Sequence, residues 1–207
     1  MRKLLMILAV AIGLTGCASS KLSVEQRATI KRVSVADPIM PDKPTVFGSN
    51  SGVGFLLGGP LGVALANSGN DLPTLYVQTL QKYGINVAAI AKTDLEAQLR
   101  RQGFTVVPQG QAADAVLQPK VLQYGLTGDV FASPPVRFPQ LWLRVDLLRA
   151  SNNQQIWWNH AALHVMPEAF KQMDARLIED LLQNQEMLNT EVRKASKLIT
   201  DEIFSKM

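Results

Sequence analysis

Apolar and polar residues alternate with a period of two in some stretches and recur every three or four residues in others, and these two periods set out the elements. Leu141, Leu143, Val145 and Leu147 alternate with Trp142, Arg144 and Asp146, which predicts a strand within 138–149 that buries one face and shows the other. Similar patterns predict strands over 115–126 and 154–165, and Ser151-Asn152-Asn153 is the turn that makes a hairpin of 138–149 and 154–165. A short strand, 104–107, is closed by Pro108. A first strand within 28–36, carrying Ile30, Val33 and Val35, stops at Asp37-Pro38. The loop after it holds Pro38, Pro41 and Pro44 and is expected to run extended, and 127–139 is a loop long enough to be functional.

Helical spacing starts at Asp71, a side chain suited to an N-cap, with Pro73 in the first turn where its missing donor costs little. Leu72, Leu75, Tyr76, Leu80 and Tyr83 form one stripe. Val87, Ile90, Ala91, Leu95 and Leu99 form another over 86–102, with Gly103 at its end, so the two are one kinked helix or two in sequence. Over 174–204 the residues Ile178, Leu181, Gln185, Leu188, Val192, Ala195 and Ile199 keep a 3,4 spacing. That is a heptad seam or a stripe covering a core, and Gln185 and Ala195 weaken it as a seam. The fold class expected is α+β: a single domain with a mostly antiparallel sheet of about five strands, helices packed on one face, and a long C-terminal helix.

Residues 48–69 fit neither period. Seven glycines are interleaved with apolar side chains, and no charge stands between Lys43 and Asp71. Gly54, Gly58, Gly62 and Ala66 fall four apart, the spacing that lets helices approach closely, although Pro60 would remove one hydrogen bond from such a helix. The stretch is either an apolar loop folded on its own domain or a membrane or partner contact made by Gly54, Phe55, Leu56, Leu57, Gly58 and Gly62. It is too short for a conventional spanning helix, which needs ~20 apolar residues.

The first residues change the picture most. Arg2 and Lys3 precede an apolar run, Leu4 to Ile12, and Leu14-Thr15-Gly16-Cys17 closes it with small residues ahead of the only cysteine. The segment resembles the bacterial lipoprotein signal, whose Leu-x-Gly-Cys lipobox is matched by Leu14, Gly16 and Cys17. The resemblance implies that Cys17 is acylated and becomes the first residue of the processed chain. The expected organisation is a signal peptide at 1–16, a lipidated tether at 17–27, and a periplasmic domain at 28–207 with the Gly-rich insertion at 48–69. Two or three acyl chains, at ~0.8 kcal/mol per buried methylene, make attachment effectively permanent. Ala18 stands where an aspartate would retain enteric-type lipoproteins in the inner membrane, so the resemblance implies the outer membrane.

Composition narrows the chemistry. With 47% hydrophobic and 18% charged residues among 207, the chain can bury a core. Its net charge of +4 falls to about +2 without Arg2 and Lys3, too little to argue for nucleic acid. No cysteine follows Cys17, so no disulfide can form within the domain. Nucleophile-elbow, phosphate-loop, dinucleotide and zinc-protease motifs are absent. His160 and His164, in a predicted strand, would lie about 13 Å apart, too far to share a metal. Asp114, Asp129 and Asp146 have no spacing that pairs them, and Trp157 and Trp158 must point to opposite faces. No catalysis and no cofactor beyond the covalent lipid are expected.

Element order, with Leu99-x-x-x-Gly103-Phe104 followed by Ala113-Asp114-Ala115-Val116-Leu117, resembles the small periplasmic domains of outer-membrane lipoproteins. These are the activators of penicillin-binding proteins, the curli-secretion lipoproteins and the N-terminal domain of the Tol-system translocation protein; the chain departs from them at 48–69. The resemblance implies a non-catalytic assembly or accessory factor. Its partners would be the membrane, through the lipid, and an envelope protein or a second copy of itself. The alternative is an oligomeric membrane-inserting or secretion-channel component that uses 48–69.

Overall fold

The computed structural model describes residues 21–46, 71–128 and 136–207. In chain order its elements are α1 (Val24–Thr29), β1 (Arg32–Val35), β2 (Thr45–Val46), α2 (Leu72–Lys82), α3 (Val87–Arg101), β3 (Thr105–Val107) and β4 (Ala115–Thr127). Then follow β5 (Val136–Arg149), β6 (Gln155–Ala162), a 3-10 turn (Leu163–Val165), α4 (Pro167–Phe170), β7 (Arg176–Leu177), α5 (Ile178–Gln183) and α6 (Gln185–Phe204). This is one α+β domain with a long C-terminal helix.

The described sheet has seven strands, not about five. Its main path runs β3-β1-β4-β5-β6, with β2 on β4 and β7 on β5. The two extra strands are two residues each, too short to carry a period. The long ladders β4–β5 and β5–β6 are antiparallel, while β1, Ile39 and β2 pair in succession, all parallel, along β4. Pro38, Pro41 and Pro44 interrupt that row because proline cannot donate to a ladder.

Alternation along β5 sorts the two faces of the sheet. Leu143, Val145 and Leu147 are fully buried, and their neighbours are Val121, Pro119 and Leu117 on β4 and Ala161, Asn159 and Trp157 on β6. Helix α6 covers this face: the Trp157 and Phe204 rings lie 5.7 Å apart, and Asn159 Nδ2 donates to the Ile203 carbonyl at 2.7 Å. Asn159 Oδ1 in turn accepts from the His160 amide, so a buried polar side chain is used at both ends. Helix α3 packs beside α6, and Leu95 and Leu99 are fully buried.

At element ends one open alternative is decided and two expectations are corrected. Helices α2 and α3 are separate, because Gly84 takes φ +64 between them. The tail is not one helix from Asp174: β7 and α5 come first, and Asn184 breaks the run by capping α6, its side chain accepting from the Met187 amide. The break leaves Gln185 exposed while Leu188, Val192, Ala195 and Ile199 are buried, so the stripe is core packing. The tether expected to reach residue 27 is folded from Ser23 on. Ser23 and Gln26 form a capping box: the Ser23 hydroxyl accepts from the Gln26 amide at 3.1 Å, and Gln26 Oε1 from the Ser23 amide at 2.9 Å.

Candidate functional site

The N-terminal end of the domain is built around α1. Leu22 and Ile30, on either side of this short helix, are buried in the core. Arg27 holds the helix down, donating from one nitrogen to the Gln102 carbonyl at 3.0 Å and to Gln102 Oε1 at 2.7 Å, with its guanidinium 5.5 Å from the centre of the Phe104 ring. The chain then enters β1 past Asp114, one carboxylate oxygen of which accepts from the Arg32 and Lys31 amides at 2.8 Å each. Those bonds hold the Asp114 carboxyl below the usual carboxylate range. The Ser-x-x-Gln spacing at 23–26 was the signal for α1, and its small apolar content hid it.

On the sheet face turned away from α6, aromatic and charged side chains form a cross-strand cluster. Arg144 makes hydrogen bonds of 2.9 to 3.2 Å with both Asp146 oxygens, and its guanidinium sits 4.9 Å from the centre of the Trp158 ring. The His160 ring lies parallel to Trp158 at 5.8 Å, and Trp142 meets His164 edge-on at 5.9 Å. As the alternation requires, Trp157 is buried under α6 and Trp158 is half-buried on the opposite face. Cation, carboxylate and rings answer one another here, while the buried Trp142 Nε1 has no hydrogen-bond partner among the described residues.

A third set of polar and ionisable groups lies between packed elements. Between α3 and α6, Ser196 Oγ donates to Asp94 at 2.6 Å, and burial raises the Asp94 carboxyl; Gln98 bonds Asp201. Both histidines contact tryptophans of the other face, so the group beside Ser196 is the Asp94 carboxylate and not an imidazole. Glu191 is 4% exposed and its carboxyl is raised by burial, while Lys194 bonds Asp174 at 3.0 Å across the same junction. Burial also raises the Tyr76 hydroxyl. Among the described residues no group of three or more His, Cys, Asp or Glu could hold a metal, and no helix is long and apolar enough to cross a membrane.

The residues singled out in the sequence fall elsewhere. Cys17 and the contact set Gly54, Phe55, Leu56, Leu57, Gly58 and Gly62 lie outside the described residues, as does Asp129. What is described is the two roots of the insertion. Before it, Val46 is buried in the β2–β4 ladder, where Thr45 pairs with Gly125. After it, Asp71 caps α2, its carboxylate accepting from the Thr74 amide at 2.9 Å.

No family model matches the chain, and no curated protein matches it in sequence. Solved structures that resemble it include the PelC dodecamer from Paraburkholderia phytofirmans, at 12% identity over 88% of this chain and 95% of that one, with a TM-score of 0.37. A DUF330 protein from Xanthomonas campestris is 12% identical over 83% and 80%, at a TM-score of 0.43. Lipoprotein GNA1162 from Neisseria meningitidis is 18% identical over 64% and 81%, at 0.27. The neighbours thus include bacterial lipoproteins, and scores this low carry no property across to this chain.

Proposed function

We propose that this chain is a non-catalytic lipoprotein of the bacterial outer membrane whose periplasmic domain binds another envelope component as an assembly or accessory factor. One observation carries the reading: Leu14-Thr15-Gly16-Cys17 closes a short, positively started apolar segment and supplies the only thiol in the chain. Ala18, in place of aspartate, favours the outer membrane by the enteric pattern. The absence of catalysis is supported by the uses found for polar side chains: Ser196, Asp94, Asn159 and Asp114 are each tied to a structural partner. One feature favours a second reading, an oligomeric membrane-inserting component: the uncharged run between Lys43 and Asp71.

Metabolic labelling with a fatty-acid analogue tests the anchor. Cys17→Ser should abolish incorporation and leave unprocessed precursor; label in the variant refutes lipid attachment at Cys17. Particle size in detergent then separates the two readings, since an inserted ring demands a large oligomer of defined size.

A further inference from the structure

We infer that the end of the domain bearing α1 and the first residues of β1 lies against the membrane, held there by anionic phospholipid headgroups. The inference rests on lipid attachment at Cys17 and adds an orientation and a second contact to it. Because Leu22 is buried and α1 is tied to Gln102, few residues separate Cys17 from the packed domain. Four peptide units separate Cys17 from Lys21 and span at most ~14 Å when fully extended. A leash of ten residues would let the domain turn freely; this one keeps a particular end beside the bilayer.

That end is basic. The Thr105 amide bonds the Lys31 carbonyl, the Asp114 amide bonds the Arg32 carbonyl and the Ala150 amide bonds the Asp114 carbonyl, which bring the β1 entry, the β3 and β4 entries and the β5–β6 turn together. Lys21, Lys31 and Arg32 are exposed there, and Arg149 is half-buried. None of these four takes part in the ion pairs of the described residues, whereas Arg101 and Lys206 are paired with Asp201 and Glu202. The acidic groups at this end are Glu25, Asp114, and Asp201 and Glu202 at the end of α6; the last two are paired with Arg101 and Lys206, and Asp114, close enough to Arg32 to feel its charge, accepts two backbone hydrogen bonds. Attraction between such cations and phosphate headgroups falls off within a Debye length, about 8 Å at physiological salt, and the leash brings the patch to that scale.

The test uses the full, lipidated chain in vesicles of phosphatidylethanolamine, alone or with about 30% phosphatidylglycerol. With Cys17 acylated, an introduced cysteine is the only thiol. A fluorophore is placed at Ser151→Cys, in the β5–β6 turn, or at Gln81→Cys, separated from that end by the length of α3, roughly 22 Å. Quenching by headgroup spin-labelled lipid should be several-fold stronger at 151 than at 81 in anionic vesicles at low salt. The difference should shrink in phosphatidylethanolamine alone, in high salt, and in the Lys21→Gln, Lys31→Gln, Arg32→Gln variant. The lipid and salt arms need no charge substitution, so a misfolded triple variant leaves the proposal open to refutation. Equal quenching at both positions, or a bias that ignores lipid charge and salt, overturns the proposal while flotation with the vesicles upholds the anchor. A chain that does not float at all overturns both.

Discussion

Gly125 is where the structure makes its sharpest steric demand, and Gly125→Ala tests the β2–β4 ladder at the root of the insertion. The residue sits at φ +147, and a Cβ placed there would lie 1.9 Å from the Thr45 carbonyl oxygen and 2.7 and 2.9 Å from the Thr45 carbonyl carbon and amide nitrogen. All three are backbone atoms, so no side-chain rotation relieves the clash. The backbone conformation alone costs an L-residue ~1 to 3 kcal/mol. Relief of the overlap must push β2 away, at the expense of the Thr45–Gly125 and Val46–Leu126 pairings, where each lost hydrogen bond costs ~0.5 to 1.5 kcal/mol. With two bonds lost the total comes to about 2 to 6 kcal/mol, a large part of a typical domain stability of ~5 to 15. Gly110→Ala is the control, since Gly110 has φ +88 and nothing within 4 Å of the added Cβ, so only the conformational cost applies. Urea unfolding of both variants measures the difference. A Gly125→Ala loss no larger than that of Gly110→Ala would show that β2 does not hold this close approach.

Two further substitutions probe the faces and the buried charge. Trp157→Ala should cost ~3 to 5 kcal/mol in urea unfolding, because the ring is fully buried against Phe204, and Trp158→Ala, partly exposed on the other face beside Arg144 and His160, distinctly less; equal losses would contradict the assignment of faces. Burial, with a smaller contribution from Asp174, raises the Glu191 carboxyl, while Lys194 and Arg176 act the other way. A folded-state pKa above the unfolded one makes this group's stability contribution full below the ordinary glutamate value, ~4.3, and lost as pH rises through the folded value. The wild-type thermal midpoint should therefore fall relative to Glu191→Gln as pH rises from about 4 to 7, and a gap that is constant with pH would refute it.

Strong periods were legible in the sequence because burial writes them. The alternation at 141–147 placed β5 and its buried face, and the caps Asp71 and Gly103 sit at helix ends as their chemistry requires. The elements that were missed have no period to write. β2 and β7 are two residues long and α1 has no buried residue of its own, while α6 starts at Gln185, capped by Asn184, in the middle of a 3,4 stripe. In that last case an N-cap side chain outweighs the continuity of the apolar pattern, because the capped amide is a local bond and the stripe resumes one turn later.

The short leash shows how a missed local element can bear on function. Read by composition alone, Ala18 to Arg27 is polar and unpatterned, and a chain of that length would isolate the domain from its anchor. The fold instead spends Ser23, Gln26 and Arg27 on hydrogen bonds that gain little core and fix one end of α1 to the end of α3. The consequence is geometric: with a lipid on Cys17, as proposed, the end of the sheet carrying Lys31 and Arg32 would be the end next to the membrane, and the α2–α3 turn the end away from it. The two described roots of 48–69 are fixed as well, Val46 by its ladder and Asp71 by its cap. On the proposed orientation, Val46 and Asp71, the two described points that flank residues 47–70, would each stand at a defined height above the membrane. That height would decide between the two readings of the apolar run, contact with lipid or contact with a neighbouring protein.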